Sequence, residues 1–373
     1  MKNKINNYDF LIVGAGLIGS IAALALIQKK FKVLVIDNKN SIYKDNRTLA
    51  VNANSTDFLK KLDIWSNLKT NPQPINKIII GDDINLQKLI FENDQEPVGN
   101  VIFNKDIYQT VRKKLEKSKI LKTNINFDTS NISPNKSLKI NSKNYKFKKI
   151  IISIGKNIIS DKSHKSIVFD QQHHSYVGFF KHTKDHKNIA YEFFTHEGPL
   201  AILPVPNNLR KSSTFIYSSK TKLNKSKLKK IINMKILKSH GKLIFEQSVS
   251  KFPITPHLSR INTNFIYIGD SLKSIHPVAG QGWNLGIKDI QTLCKLIEQY
   301  SIESKNLNSS YYSRRFIEST VYLGFTSILN FLYENKSDLN TRIIKLAFMS
   351  LINVKVARDL FIKQAMGRSN LIG

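Results

Sequence analysis

The chain has 373 residues, 41% of them hydrophobic, and one cysteine, Cys294. That allows two domains or one large domain with an inserted part, and excludes a disulfide framework or a cysteine metal cluster. The net charge of +31 invites a nucleic-acid reading, but only 9 of the 58 basic residues are arginine, the lysines are scattered among Asn and Ile, and no nucleic-acid motif appears. No nucleic-acid partner is therefore expected, whereas a basic surface favours contact with anionic lipid headgroups.

Tyr8–Val13 is an apolar, β-forming run that reads as a buried strand. It ends in Gly14-Ala15-Gly16-Leu17-Ile18-Gly19, after which Ser20–Lys30 reads as a helix and Lys32–Ile36 as a second strand with Asp37 at its tip. This is a βαβ unit with G-x-G-x-x-G at its first turn, the pattern of a dinucleotide site. Gly14 permits the tight turn, Gly16 lets a pyrophosphate approach the backbone, and Gly19 lets helix and strand pack closely. Leu17 and Ile18 fall within this turn as further cofactor-binding candidates, and the free N–H groups at the start of the helix favour phosphate. Asp37 is placed to accept from a ribose hydroxyl. Phe10–Gln28 is uncharged and follows Lys2 and Lys4, as in a signal peptide. Its glycines interrupt the apolar run, and an acid-tipped strand follows, which favours the βαβ reading.

Past a polar loop, a helix is expected near Ser55–Leu62, strands between Ile75 and Phe103, and a helix over Lys105–Lys117, where Ile107, Val111 and Leu115 recur four apart. The Lys/Asn/Ser-rich stretch after it reads as thin strands, and Lys149–Ile154 as another buried strand. Residues 166–252 are strand-like, interrupted by a basic helix over Lys222–Lys238. Phe265–Gly269 reads as a strand, a helix spans about Trp283–Tyr300, and Tyr311–Met366 is helical. His173, His174, His182 and His186 fall in alternating stretches without helical metal-ligand spacing, so no metal is expected. Apart from Phe10–Gln28, no uncharged run reaches the roughly 20 residues that a membrane span needs. A soluble or peripheral protein is therefore the better expectation.

An ordered set of motifs now stands out. It comprises the Gly14–Gly19 turn, Asp45-x-Arg47-x-x-Ala50, Gly99-x-Val101-x-x-Asn104, and Gly269-Asp270 running through His276-Pro277-Val278-Ala279-Gly280-Gln281-Gly282-Trp283-Asn284 to Asp289. With Glu197–Pro204, Tyr311-x-x-Arg314-Arg315 and Ala365-Met366-Gly367, it resembles the flavin-dependent aromatic hydroxylases of ubiquinone biosynthesis. These belong to the para-hydroxybenzoate hydroxylase-like flavoprotein monooxygenases. The resemblance covers nearly the whole chain.

It implies an α/β fold: a Rossmann-like FAD-binding domain (1–70, 104–164 and 261–300), an interleaved sheet-rich substrate domain (71–103 and 165–260) and a C-terminal helical region (301–373). It also implies FAD as cofactor and NAD(P)H as transient donor. Dioxygen would form a flavin hydroperoxide, and oxygen would pass to a polyprenyl phenol. Arg47 and Asn104 correspond to positions that line FAD. Asp270 is placed to accept from a ribityl hydroxyl, unless it is a plain helix cap. Gly280, Gln281, Gly282 and Asn284 would form a helix start facing the flavin, and Trp283 reads as packing. His276 and Pro277 are the candidates near the flavin face, though no carboxylate partner marks His276 as a base. The flavin carries the chemistry, so no catalytic side chain is assigned. The expected place is cytoplasmic, peripheral on the inner membrane, with an anionic membrane surface and a ubiquinone-biosynthesis complex as partners. A dehydrogenase or reductase of the same fold and a non-catalytic FAD-binding scaffold stay open. One departure stands out. Where the family has Asp-Gly followed by Ser and Arg, this chain reads Ser153-Ile154-Gly155-Lys156-Asn157. The family links that motif to FAD and to the nicotinamide donor, so altered donor binding, slow reduction or a diverged activity is expected here.

Overall fold

A computed structural model describes residues 5–39, 47–85, 87–125, 137–140, 142–160, 165–169, 173–260, 264–275, 280–335 and 337–368. Its first sheet is built around Ile5–Val13. This strand pairs in parallel with Lys143–Ile152 on one side and Val33–Ile36 on the other. Ile266–Tyr267 and Leu121–Lys122 extend the parallel array, and Ser137–Ile140 adds antiparallel to one end. Phe10–Val13 and Ile150–Ile152 are buried, as continuous apolar strands covered on both faces must be.

The helix Leu17–Gln28 is apolar almost all round because it lies in the core, with Ile21, Ala22, Ala23 and Leu26 inaccessible to solvent. Its neighbours are the sheet and the helices Asn104–Lys117 and Gln281–Gln299. The uncharged Phe10–Gln28 run is thus a core strand, a turn and a buried helix.

A second, seven-stranded sheet has the order Leu243–Pro253, His174–His182, Ser212–Ser219, Gly198–Pro204, Ile189–Thr195, Lys77–Asp82, Leu89–Glu92. One parallel pairing, Lys77–Asp82 with Ile189–Thr195, joins the two distant stretches of chain. The helix Lys225–His240 buries Leu228, Ile232 and Ile236 against Phe180, Phe215 and Tyr217 of this sheet. Between the two large sheets, Gly99–Phe103 pairs with Thr48–Asn52 and Gln73–Ile75. These three strands form a small sheet separate from the seven-stranded one.

Three helices close the chain: Lys305–Glu334, Asp338–Asn353 and Lys355–Ala365. Tyr311 and Tyr312 on the first of them hold the edge of the parallel sheet. Their hydroxyls donate to the carbonyls of Tyr267 (2.8 Å) and Phe265 (2.7 Å), and the Tyr267 N–H donates back to the Tyr312 hydroxyl (3.1 Å). Backbone groups at a buried sheet edge need such partners.

Candidate functional site

Neighbouring parallel strands deliver residues to one cleft as each strand ends. After Val13 comes Gly14, after Ile36 Asp37, after Ile152 the Ser153–Lys156 turn, and after Tyr267 the Gly269-Asp270 turn. Ligands of open parallel sheets bind at this carboxyl edge. The cleft holds about 820 Å³. Its far wall comes from the second sheet, through the apolar side chains of Val177, Leu203 and Ile216.

The glycine turn has a separate reason at each position. Gly14 has φ +102°, and a Cβ there would sit 2.2 Å from the Ser153 carbonyl oxygen. At Gly19 a Cβ would sit 2.2 Å from the Gly14 carbonyl oxygen, so this residue sets the helix-to-strand contact and does not itself line the cleft. Gly16 has open space where a side chain would be and is the N-cap of Leu17–Gln28, without a side-chain cap. Leu17 lines the cleft, as does Ile18, whose side chain also packs against Gly269 and Gly286. Asp37 accepts from the backbone N–H of Ala15 (2.6 Å) and of Lys39 (2.9 Å), which fixes its carboxylate at the cleft rim.

Arg47 and Asn104 both line the cleft, and the Asn104 N–H donates to the Arg47 carbonyl (2.8 Å). The Arg47 guanidinium lies over the Phe252 ring, 4.3 Å from its centroid, and so bridges to the second sheet. Asp270 opens onto the cleft from a short 3₁₀ turn. Protein on its other sides raises its carboxyl above the usual range, against the pull of Lys156, His257 and Lys273.

Gly280, at φ +65°, caps the helix Gln281–Gln299 with no side-chain cap. A Cβ there would meet Ala50 Cβ at 2.8 Å, so the helix start lies directly on the Thr48–Asn52 strand. Gly280 and Gly282 line the cleft. Gln281 and Asn284 line a separate small pocket instead. The Asn284 amide donates to the carbonyls of Ala50 (2.9 Å) and Gly280 (3.0 Å), and its oxygen accepts from the Asn52 N–H (3.0 Å). It braces the helix start from behind. His276, Pro277 and Asp45 lie outside the described residues.

Two features escaped the sequence reading. The first is Lys156. In the 3₁₀ turn after Ile154 it enters the cleft beside Arg47 and Asp270. Lys156 is open to solvent along the cleft, but the protein around it lowers its pKa, the Asp270 charge opposes that, and Arg47 adds to it. The departure at Ile154 thus coincides with a cation in the cleft; the sequence signal was a lysine directly after the retained glycine.

The second is a buried ionic network behind the Asp270 turn. Asp289 accepts from Lys273 Nζ (2.7 Å), Arg315 Nε (2.6 Å) and the Gly269 N–H (2.8 Å). Arg315 also pairs with Glu318, which accepts from Lys288 Nζ (2.5 Å). Asp289 and Arg315 both fell inside recognised motifs, but their pairing is tertiary. Of the histidines read as having core or solvent roles, His173 bonds Glu334 (2.6 Å) and His182 bonds the Lys184 carbonyl (2.6 Å). Among the described residues, no group of His, Cys, Asp and Glu is disposed to hold a metal.

The cleft fits a flavin dinucleotide. Gly16 leaves room at an uncapped helix start, an acid follows the second strand, and a second uncapped helix start faces in from Gly280. Trp283 lines the cleft, and its indole N–H is buried with no acceptor among the described residues. Residues 7–121 and 165–317 match the family described as FAD binding domain. The chain belongs to that family, and its cofactor is FAD.

The particular relatives agree with the motif resemblance. Ubiquinone biosynthesis monooxygenase COQ6 of Caenorhabditis elegans is 24% identical, over 84% of this chain and 85% of its own length. Ubiquinone hydroxylase UbiL of Rhodospirillum rubrum is 23% identical, over 97% and 90%. Among solved structures, p-nitrophenol 4-monooxygenase PnpA from Pseudomonas putida superposes with a TM-score of 0.73 at 12% identity, covering 99% of this chain and 100% of that one. The fold is therefore that of FAD-dependent monooxygenases.

Proposed function

We propose that this protein is an FAD-dependent monooxygenase that hydroxylates a polyprenylated phenol in ubiquinone biosynthesis, with NAD(P)H as electron donor. The observation that carries the reading is the single cleft bounded by the Gly14–Gly19 turn and Asp37, by Asp270 and the Gly280 helix start, and by the apolar wall of Val177, Leu203 and Ile216. The names of the curated relatives support the substrate class. FAD, once reduced, supplies the activation of dioxygen and the transfer of one oxygen atom to an electron-rich ring. Gly14, Gly16 and the start of Leu17–Gln28 would hold the diphosphate, and Asp37 the adenosine ribose. Asp270 would hold the ribityl chain, with Arg47 and Asn104 alongside. The N–H groups after Gly280 would face developing negative charge. Apolar walls would keep water from the reacting ring. A prenyl tail dissolves in lipid, so a peripheral position on the inner membrane, near a ubiquinone-biosynthesis complex, belongs to this reading.

The test is rapid-mixing reduction of the purified holoprotein by NADPH, with and without a short-chain prenylphenol, followed by mass analysis of the phenol. Flavin bleaching that the phenol accelerates, with one oxygen gained by the product, is expected. NAD(P)H consumption without an oxygenated product would instead favour a reductase, and a flavin that stays oxidised a scaffold. The Ile154–Lys156 departure is the observation that favours either of these second readings.

A further inference from the structure

The signature Ala365-Met366-Gly367 does not reach the cleft; it docks behind it. Met366 follows the helix Lys355–Ala365 and is buried with Ala53 and Val98. Its carbonyl accepts from the Asn54 N–H (3.1 Å). Arg368 pairs with Glu96 (2.6 Å) and Asp57 (3.4 Å). Apolar, backbone and ionic contacts thus seat Met366–Arg368 on the first turns of the helix Ala53–Lys61.

Between the two anchors, Gly367 has φ +71°, and a Cβ there would stand 2.5 Å from Asn52 Nδ2 and 2.9 Å from Asn52 Cγ. Asn52 is not free to give way. It is buried, and its side-chain oxygen accepts from the Ser55 N–H (2.8 Å) as the N-cap of Ala53–Lys61. Its own N–H donates to the Asn284 side-chain oxygen (3.0 Å), and the Asn284 amide donates to the Gly280 carbonyl (3.0 Å). Gly367, Asn52, Asn284 and Gly280 therefore form a continuous line of contacts that ends at the uncapped helix start facing the cleft. Asn52, Asn284, Gln364 and Gly367 share the small pocket behind that start.

We propose that Gly367 is a positioning residue for the flavin: by fixing Asn52 it fixes Asn284 and Gly280, and so aims the N–H groups that open Gln281–Gln299. This rests on the reading that those groups face the flavin ring. Backbone N–H groups at a helix start stabilise negative charge, and hydrogen bonds weaken steeply when they are misaligned, so the worth of these donors depends on how rigidly they are aimed. A reduced flavin, which carries the added electrons, gains more from them than the oxidised ring does. Loosening the Gly367 contact therefore lowers the reduction potential of the flavin while FAD stays bound through the glycine turn, Asp37 and Asp270.

A dye-coupled reductive titration of the full-length, FAD-loaded protein tests the assignment without any turnover. Gly367→Ala is expected to lower the two-electron potential by about 30 mV, a tenfold fall in the reduced-to-oxidised ratio. Asn284→Ala, which removes the last link, is expected to lower it at least as far. Met366→Ala unseats the segment without a clash and is expected to shift the potential in the same direction, which keeps the test open if Gly367→Ala does not fold. Ile236→Ala, a buried truncation under the second sheet, is expected to lower the unfolding temperature and leave the potential unchanged. An equal fall in potential for Ile236→Ala would overturn the assignment, since general loosening would then account for it. If Asn284→Ala lowers the potential and neither Gly367→Ala nor Met366→Ala does, Gly367 has no positioning role and the reading of the helix start stands. Unchanged potentials in all three would overturn that reading and the role of Gly367 with it.

Discussion

A methyl group on Gly14 would lie 2.2 Å from the Ser153 carbonyl oxygen, and one on Gly19 would lie as close to the Gly14 carbonyl. The two glycines therefore serve packing around the turn, and Gly16 alone leaves open space toward the cleft. Lys156 is the residue that gives this cleft its own character. Among the described residues it shares the cleft with two other cations, Lys39 and Arg47, and with two acids, Asp37 and Asp270. Three cations against two acids leave a positive balance suited to a diphosphate. Lys156→Met is expected to weaken FAD binding about tenfold, the worth of one charge-assisted hydrogen bond, and to leave riboflavin, which lacks phosphate, unaffected. Fluorescence titration of the apoprotein with each ligand measures this. An equal loss for both ligands would place Lys156 at the ring or the ribityl chain instead.

At the scale of elements, Lys305–Glu334 has a distinct task at each level. Its first turns hold the sheet edge through Tyr311 and Tyr312, and its middle supplies Arg315 to Asp289. Asp289 also receives the Gly269 N–H, so the Asp270 turn is fixed by a charge two elements away. Arg315→Met is expected to cost about 3–5 kcal/mol, because it leaves Asp289 and Glu318 buried and short of a partner. It should also lower FAD content, since the Gly269–Ser271 turn loses its anchor. Thermal unfolding together with the flavin-to-protein absorbance ratio checks both effects. A destabilised variant that keeps its full flavin content would show that the network supports the fold and not the site.

At the scale of the molecule, stability should depend on pH through the second sheet. His182, His186 and His240 are buried together under the helix Lys225–His240, with ring centroids 4.6 Å apart for His182 and His240 and 6.2 Å for His182 and His186. Burial, and after it the neighbouring His182 and His186, push the His240 pKa down from an ordinary 6.5 to about 3. The pKa values of His182 and His186 are lowered too, mainly by burial, with Asp185 opposing. A folded-state pKa below the unfolded one means that the unfolded chain binds more protons. The contribution is therefore complete above about pH 6.5 and is lost as pH falls toward about 3. Each such histidine adds a slope of up to about 1.4 kcal/mol per pH unit in that window. His240→Phe, in a pocket lined by Phe180 and Tyr191, should flatten the fall in stability between pH 7 and pH 5. Urea unfolding at the two values measures it, and an unchanged slope would refute the assignment.

What the sequence determined by itself was local and repetitive in kind. Strand, glycine turn, helix and acid follow one another within Tyr8–Asp37, and steric rules act over such distances, so the nucleotide-binding unit was legible. The ordered motifs carried the family and its cofactor. Tertiary structure decided whatever depends on which strands become neighbours. Only the parallel pairing of Ile5–Val13 with Lys143–Ile152 brings Ser153 against Gly14 and Lys156 into the cleft. Only the packing of Gln281–Gln299 against Lys305–Glu334 turns Asp289 and Arg315 into a pair, and only its seat on the Thr48–Asn52 strand turns Asn284 from the cleft into a brace. Periodicity shows that a helix has an apolar side. Which apolar side chains stay outside, as on the last three helices, is decided when the sheets have taken the others.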